Sequence, residues 1–91
     1  MYNITKYTKE KAKELNVVVK PSTKKNKKID VFKNNKLIAS IGAIGYLDYP
    51  NYIEKKGIQF ANERKKLYKQ RHNNDRFKKG TNGFFADKLL W

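Results

Sequence analysis

Few side chains in this sequence could act as a nucleophile, a general base or a metal ligand. His72 is the single histidine, and the chain has no cysteine. Asp30, Asp48 and Asp75 fall in or beside predicted strands and loops, but no motif brings them together, and a magnesium-dependent nuclease needs two or more acids at one metal. The chain also has neither a glycine-rich phosphate loop nor a nucleophile elbow. We therefore expect no enzyme, cofactor or metal, with a nuclease as the remaining alternative, and we assign His72 to a helix C-terminus.

Lysine and arginine supply the chemistry that the chain does carry. They number 22 against 8 acids among 91 residues, which gives a formal net charge of +14. The first cluster precedes a predicted hairpin and comprises Lys24, Lys25, Lys27 and Lys28. Such a loop is either merely solvated or neutralises phosphates, and the basic character of the whole chain favours contact with a polyanion.

A second group of cations lies on the longest predicted helix. Its members are Lys55, Lys56, Arg64, Lys65, Lys69 and Arg71. Most of them could simply form the solvated face of an amphipathic helix. Arg64 and Arg71 border the apolar stripe, so they either cover the core with their aliphatic parts or contact phosphate or carboxylate through their planar guanidinium groups. No helix-turn-helix or zinc-finger pattern is present, so base-specific recognition is not expected.

Aromatic residues are interleaved with these cations. Tyr46, Tyr49 and Tyr52 either stack on unpaired bases or pack into a corner between sheet and helix, and we favour the corner. The C-terminal segment is mostly apolar, and such a segment is either docked in the core or inserted into a partner. The side chains that could bind a partner in this way are Phe84, Phe85, Leu90 and Trp91.

The pattern of apolar residues, turn residues and caps predicts one α+β domain over residues 1–91. We expect a short helix over 5–15, with Thr5 as N-cap and Asn16 ending it in the left-handed conformation. The β-branched residues 17–19 form a short strand. A hairpin turns at Asn34-Asn35 and places Phe32 opposite Leu37 and Val31 opposite Ile38. The predicted elements are completed by a longer helix over 53–72, with a stripe of Phe60, Ala61, Leu67 and Tyr68, and by an apolar C-terminal segment packed back.

Composition sets limits on location and partners. The absence of cysteine fits a reducing compartment, no apolar run approaches the ~20 residues of a membrane span, and the N-terminus lacks the apolar region of a secretory signal. We expect a protein located inside cells or carried in a particle, with no membrane partner. The sequence does not indicate an oligomeric state.

The chain resembles a group of small, lysine-rich proteins of large nucleocytoplasmic DNA viruses over nearly its full length. The segments that carry the resemblance are Lys20-Pro21-Ser22, Lys28-Ile29-Asp30-Val31-Phe32, residues 40–49 (SIGAIGYLDY), residues 63–72 (ERKKLYKQRH) and Leu89-Leu90-Trp91. One departure is Asn16, where glycine would be expected after the first helix. The resemblance implies a viral protein packaged in virions, and it implies neither an enzyme activity nor any site residue.

These observations lead to two expected functions. The first is a virion-associated protein, present in the virion, the nucleus or a cytoplasmic viral factory, that binds DNA or RNA through phosphates and without sequence specificity. The second is a minor capsid protein whose cations pair with acidic surfaces of neighbouring viral proteins and whose apolar C-terminus anchors it.

Overall fold

Four helices and one three-stranded antiparallel sheet form within residues 2–74 and 76–91, the part of the chain that the computed structural model describes. In chain order they are α1 (Lys6–Glu14), β1 (Val18–Pro21), β2 (Lys27–Lys33), β3 (Lys36–Ala43), α2 (Tyr49–Lys56), α3 (Ile58–Arg71) and α4 (Asn82–Leu90). This order of elements confirms the predicted α+β class. None of the helices in the described residues is long and apolar enough to cross a membrane.

The hairpin between β2 and β3 turns on two asparagines. Asn34 and Asn35 have φ of 53° and 64°, as a two-residue turn with left-handed geometry requires. Phe32 faces Leu37 as predicted, but a shift of register between Val31 and Phe32 places Ala39 opposite Val31. The predicted pairing of Val31 with Ile38 is therefore wrong, because an irregularity inserts one extra residue into β3.

One face of the sheet and two helices enclose the core. The sheet contributes Ile29, Val31, Ala39 and Ile41, all buried, and these pack with Ala12 of α1. From α4 come Phe85, Leu89 and Leu90. The hydroxyl of Thr8 donates a buried hydrogen bond of 2.8 Å to the carbonyl of Leu89, which fixes α1 against α4. The C-terminal segment is thus docked in the core, the first of the two alternatives that the sequence left open.

The prediction of one helix over residues 53–72 is wrong, since this segment is divided between α2 and α3. The backbone at Gly57 has φ 92° and ψ 163°, which ends α2 and starts α3. A Cβ at this position would meet no neighbouring atom within 4 Å, so glycine is needed for its conformation rather than for space. α2 begins earlier than predicted, because Asp48 caps it by accepting a hydrogen bond from the Asn51 amide at 3.2 Å.

The predicted apolar stripe of α3 is only half buried. Ala61 and Tyr68 lie inside, whereas Phe60 and Leu67 are 42% and 52% exposed. α3 packs chiefly against α2 and contacts the ring of Trp91 through Tyr68. Because the neighbour of α3 is chiefly one helix, α2, and not a sheet, only part of the apolar face of α3 is covered. Phe60 and Leu67 therefore remain at the surface.

Candidate nucleic-acid interface

A groove of about 510 Å³ runs between α3, the loop of residues 44–48 and α4. The two cationic clusters of the sequence meet in it, since Lys27 at the start of β2 lines the same groove as Arg64 and Arg71 of α3. All three of these side chains are exposed. Arg64 and Arg71, the two arginines that border the apolar stripe, thus place guanidinium groups along a concave surface.

Asp48 is the one acid among the described residues that line this groove, and it is neutralised within the protein. Its carboxylate is paired with the ammonium group of Lys28 at 3.1 Å, and the two side chains are 1% and 6% exposed. Asp48 also accepts a hydrogen bond of 2.6 Å from the Tyr2 hydroxyl. Burial, and then the neighbouring carboxylate, raise the pKa of Tyr2, so this hydroxyl stays protonated and keeps donating.

Lys28 therefore differs from the other predicted phosphate contacts. Its ammonium group donates to Asp48 and to the carbonyl of Tyr46, so it holds the loop of residues 44–48 against the sheet. A lysine this deeply buried cannot reach a phosphate without leaving its carboxylate unpaired. This placement corrects the expectation that all four lysines of the cluster are exposed.

Aromatic rings form part of the groove wall. The Trp91 ring stacks on Tyr68 with 4.5 Å between centroids and 9° between planes, and Tyr52 lies 6.0 Å from Trp91. The guanidinium of Arg64 lies over the Tyr52 ring at 5.6 Å. Tyr46, from the loop of residues 44–48, is 75% exposed. The predicted tyrosine corner is thus divided: Tyr49 is buried and Tyr52 half-buried, while Tyr46 projects into solvent.

A second, shallow depression of about 550 Å³ lies on another face of α3 and is lined by cations and amides. Lys65, Lys66, Lys69 and Arg76 supply the charges. Lys69 bonds the buried Asp87 at 2.7 Å. Burial, and then the charges of Lys69 and Lys11, lower the pKa of Lys65. The depression is thus a second basic surface on α3.

The remaining predicted site residues lie elsewhere. Lys24 and Lys25 are exposed in the turn before β2, and Lys55 and Lys56 are exposed at the end of α2, outside the sets of described residues that line the two depressions. Among the predicted partner-binding residues, Phe85 and Leu90 are core residues, while Phe84 and Trp91 are half-buried.

The acids considered for catalysis serve other roles where the structure describes them. The carboxylate of Asp30 accepts hydrogen bonds from the hydroxyls of Ser22 and Ser40 at 2.6 and 2.7 Å. Asp75 lies outside the described residues. Within residues 2–74 and 76–91, no three acidic or histidine side chains are grouped so that they could hold a metal ion.

Sequence reasoning missed the two buried ion pairs that shape these surfaces. Asp87 lies among apolar residues of the C-terminal segment. Because a buried charge needs a partner, this position could have predicted an ion pair. Asp48 precedes Tyr49-Pro50, a pattern typical of a helix start. Lys28 lies 20 residues from Asp48, and Lys69 lies 18 residues from Asp87. Only the fold therefore identifies these partners.

Comparison with protein-family models, with curated protein sequences and with solved structures gives no match to this chain. Viral origin and nucleic-acid binding therefore stay predictions.

Proposed function

We propose that this domain is a virion-associated viral protein that binds nucleic acid through the phosphate backbone, without sequence specificity and without catalysis. The observation that carries the proposal is the meeting of Lys27, Arg64 and Arg71 at one groove whose single described acid is buried and paired. A concave surface lined by one sign of charge concentrates the field and attracts the opposite charge.

Folding makes the surface more basic than the composition alone. Among the described residues, three acids are buried, namely Asp30, Asp48 and Asp87, whereas Lys28 is the buried cation. The acids removed from the surface thus outnumber the cations removed. Such a surface favours a polyanion, and phosphates release their condensed counterions when lysine or arginine binds them.

The salt dependence of binding to DNA of unrelated sequences tests the proposal. Three phosphate contacts predict a slope of log affinity against log salt of about −2 for single strands and about −2.7 for duplex, measured between about 50 and 200 mM. Absence of binding to both forms of DNA at the low-salt end would contradict the proposal.

A matched pair of variants locates the contact. Arg64→Gln with Arg71→Gln removes two charges from the groove, and Lys55→Gln with Lys56→Gln removes two exposed charges outside it. We expect the first variant to flatten the salt slope by about 1.4–1.8 and the second to change it little. Equal changes in the two variants would show that the groove is not the binding surface.

A minor capsid protein is the second candidate, and the exposure of Phe60 and Leu67 on α3 favours it. Its anchor would then consist of these α3 side chains rather than of Phe85 and Leu90, which belong to the core. Binding that is equally strong to polyglutamate and to an oligonucleotide of the same charge would support this candidate over the first.

A further inference from the structure

The Tyr46 residue combines a fixed backbone with an exposed ring. Its amide donates to the Ala43 carbonyl at 3.3 Å, and its own carbonyl accepts from the buried ammonium of Lys28. Tyr46 nevertheless lines the groove and is 75% exposed. The exposed Tyr46 ring is therefore accessible to an external partner, on a backbone that hydrogen bonds hold in place.

The second aromatic surface of the groove is Trp91, whose ring is held in place by two tyrosine rings. Trp91 is half-buried, backed by the parallel ring of Tyr68 and flanked by Tyr52. Arg64 covers Tyr52, so a cation lies beside the aromatic surface. The groove thus offers ring faces and guanidinium groups in one space of about 510 Å³, within the range of ~300–1,000 Å³ typical of sites for small organic ligands.

The chemistry of the lining distinguishes between possible occupants. An acidic peptide would match the cations but would leave the exposed ring of Tyr46 without a flat partner. A duplex exposes phosphates but keeps the faces of its bases stacked inside. A single strand offers both phosphates and free base faces, and base–aromatic stacking with flanking cations is the general mode of single-strand recognition.

We infer that the groove binds single-stranded nucleic acid, with phosphates on Lys27, Arg64 and Arg71 and with bases against Tyr46 and Trp91. This inference rests on the proposed function and adds to it a substrate class and a base contact. Stacking is tolerant of base identity because every base has an aromatic face, so the inference agrees with the absence of sequence specificity.

Trp91 provides the measurement, since it is the single tryptophan of the chain and it lines the groove. Its fluorescence is followed while the full chain is titrated with oligothymidylate of about ten nucleotides, within the site sizes of single-strand binders. An abasic oligomer of the same length and a duplex are titrated in parallel. We expect oligothymidylate to change the Trp91 emission and to bind tighter than the abasic oligomer by about 5- to 150-fold for each stacked base.

Tyr46→Ala tests the base contact directly, and Phe77→Ala is the matched control because Phe77 is exposed and aromatic but is not among the described residues of the groove. Circular dichroism checks that both variants fold. We expect Tyr46→Ala to weaken oligothymidylate binding by about 5- to 150-fold and abasic binding little, and Phe77→Ala to weaken neither.

The outcomes separate this inference from the proposed function. Equal affinity for the thymidylate and abasic oligomers, or preferential binding of the duplex, overturns the inference and leaves phosphate binding in place. Equal effects of the two substitutions also overturn it. If polyglutamate of the same charge binds as tightly as oligothymidylate, the groove recognises acidic chains and the inference fails. If none of the three nucleic acids binds, both proposals fail.

Discussion

Asp48 and Asp87 are two buried carboxylates that join parts of the fold through a lysine, and they differ in how completely their oxygens are bonded. Asp48 accepts from the Tyr2 hydroxyl and from Lys28, and its other oxygen accepts from the backbone and the side-chain amide of Asn51. In Asp87, one oxygen accepts from Lys69, while the other lies 4.0 Å from Arg76 and has no hydrogen-bond partner among the described residues.

The pair of Asp48 with Lys28 is shielded from solvent, whereas the cations that surround Asp87 keep part of their charge at the protein surface. At Asp48, Lys28 is as deeply buried as its partner, so the pair is closed and presents little charge to solvent. At Asp87, the cations Lys69 and Arg76 retain 28% and 20% exposure. Burial is the first cause that lowers the pKa of Lys65, and the nearby charge of Lys69 lowers it further. The same two residue types therefore form a closed pair in one place and leave exposed positive charge in the other.

Asp48→Asn should have the largest effect on stability. Asparagine retains the helix cap but leaves the buried ammonium of Lys28 without a counter-charge, which costs about 3–5 kcal/mol. Urea denaturation followed by circular dichroism measures this loss. The double variant Lys28→Met with Asp48→Asn removes both charges and should recover most of it. A loss below about 1 kcal/mol in the single variant would show that Lys28 reaches water on its own.

Asp87→Asn should cost less stability and should strengthen binding. Its partners are partly exposed, so we expect a loss of about 1–2 kcal/mol, between the ~0–1 of exposed pairs and the ~3–5 of buried pairs. Removal of the negative charge raises the local positive potential, and the affinity for a DNA oligomer at low salt should rise about 2- to 5-fold. Unfolding curves and binding titrations on the same preparation give both numbers. Weaker binding by a folded variant would contradict the expectation that loss of this negative charge favours DNA.

Asp30→Asn extends the comparison to a carboxylate held by hydroxyl groups, and its effect should be the smallest. Burial raises the pKa of Asp30, but the hydrogen bonds from Ser22, Ser40 and the Thr23 backbone outweigh it and hold the pKa below its usual range. The wild type should exceed the variant in free energy of unfolding by about 1 kcal/mol at neutral pH.

The pH dependence of this difference follows from the sign of the shift. A carboxylate with a lowered folded pKa contributes stability above its unfolded pKa of about 3.9, and the contribution disappears as the pH falls through the folded value. The difference between wild type and Asp30→Asn should therefore shrink below about pH 4. Unfolding measured at neutral and acidic pH checks this, and a difference that is constant with pH would exclude a role for the Asp30 charge.

Local signals in the sequence predicted much of the fold. Thr5 caps α1 by accepting from the Thr8 amide, and Asn16 follows the helix with φ of 57°. The Asn34-Asn35 turn was correct as well. These features depend on residues within a few positions of each other, so propensity and capping rules suffice for them. The break at Gly57 was missed because glycine alone does not tell whether a helix is weakened or ended.

The candidate site was less predictable because it depends on contacts across the chain. The sequence identified Lys27, Arg64 and Arg71 as cations but could not show that they share a groove, and it placed Lys28 in the same exposed cluster. Phe60 and Leu67 were predicted to be buried because the spacing of apolar residues shows which face of a helix they share. The spacing does not show how much of that face the neighbouring element covers. Tyr46 received the same interpretation as Tyr49 and Tyr52, yet its ring is exposed.

The contrast between Lys27 and Lys28 has a consequence for how β2 finds its partners. Successive side chains of a strand point to opposite sides, so sliding β2 by one residue would move every side chain to the opposite side of the sheet. A slip that brings Lys27 beside Asp48 would carry Lys28 into the buried position of Ile29 and would move Ile29 and Val31 out of the core. Misaligned hairpins would thus lose apolar burial and would place the Lys28 ammonium among apolar residues without its carboxylate. The buried pair of Lys28 with Asp48 and the apolar core thus disfavour the same misalignment of β2.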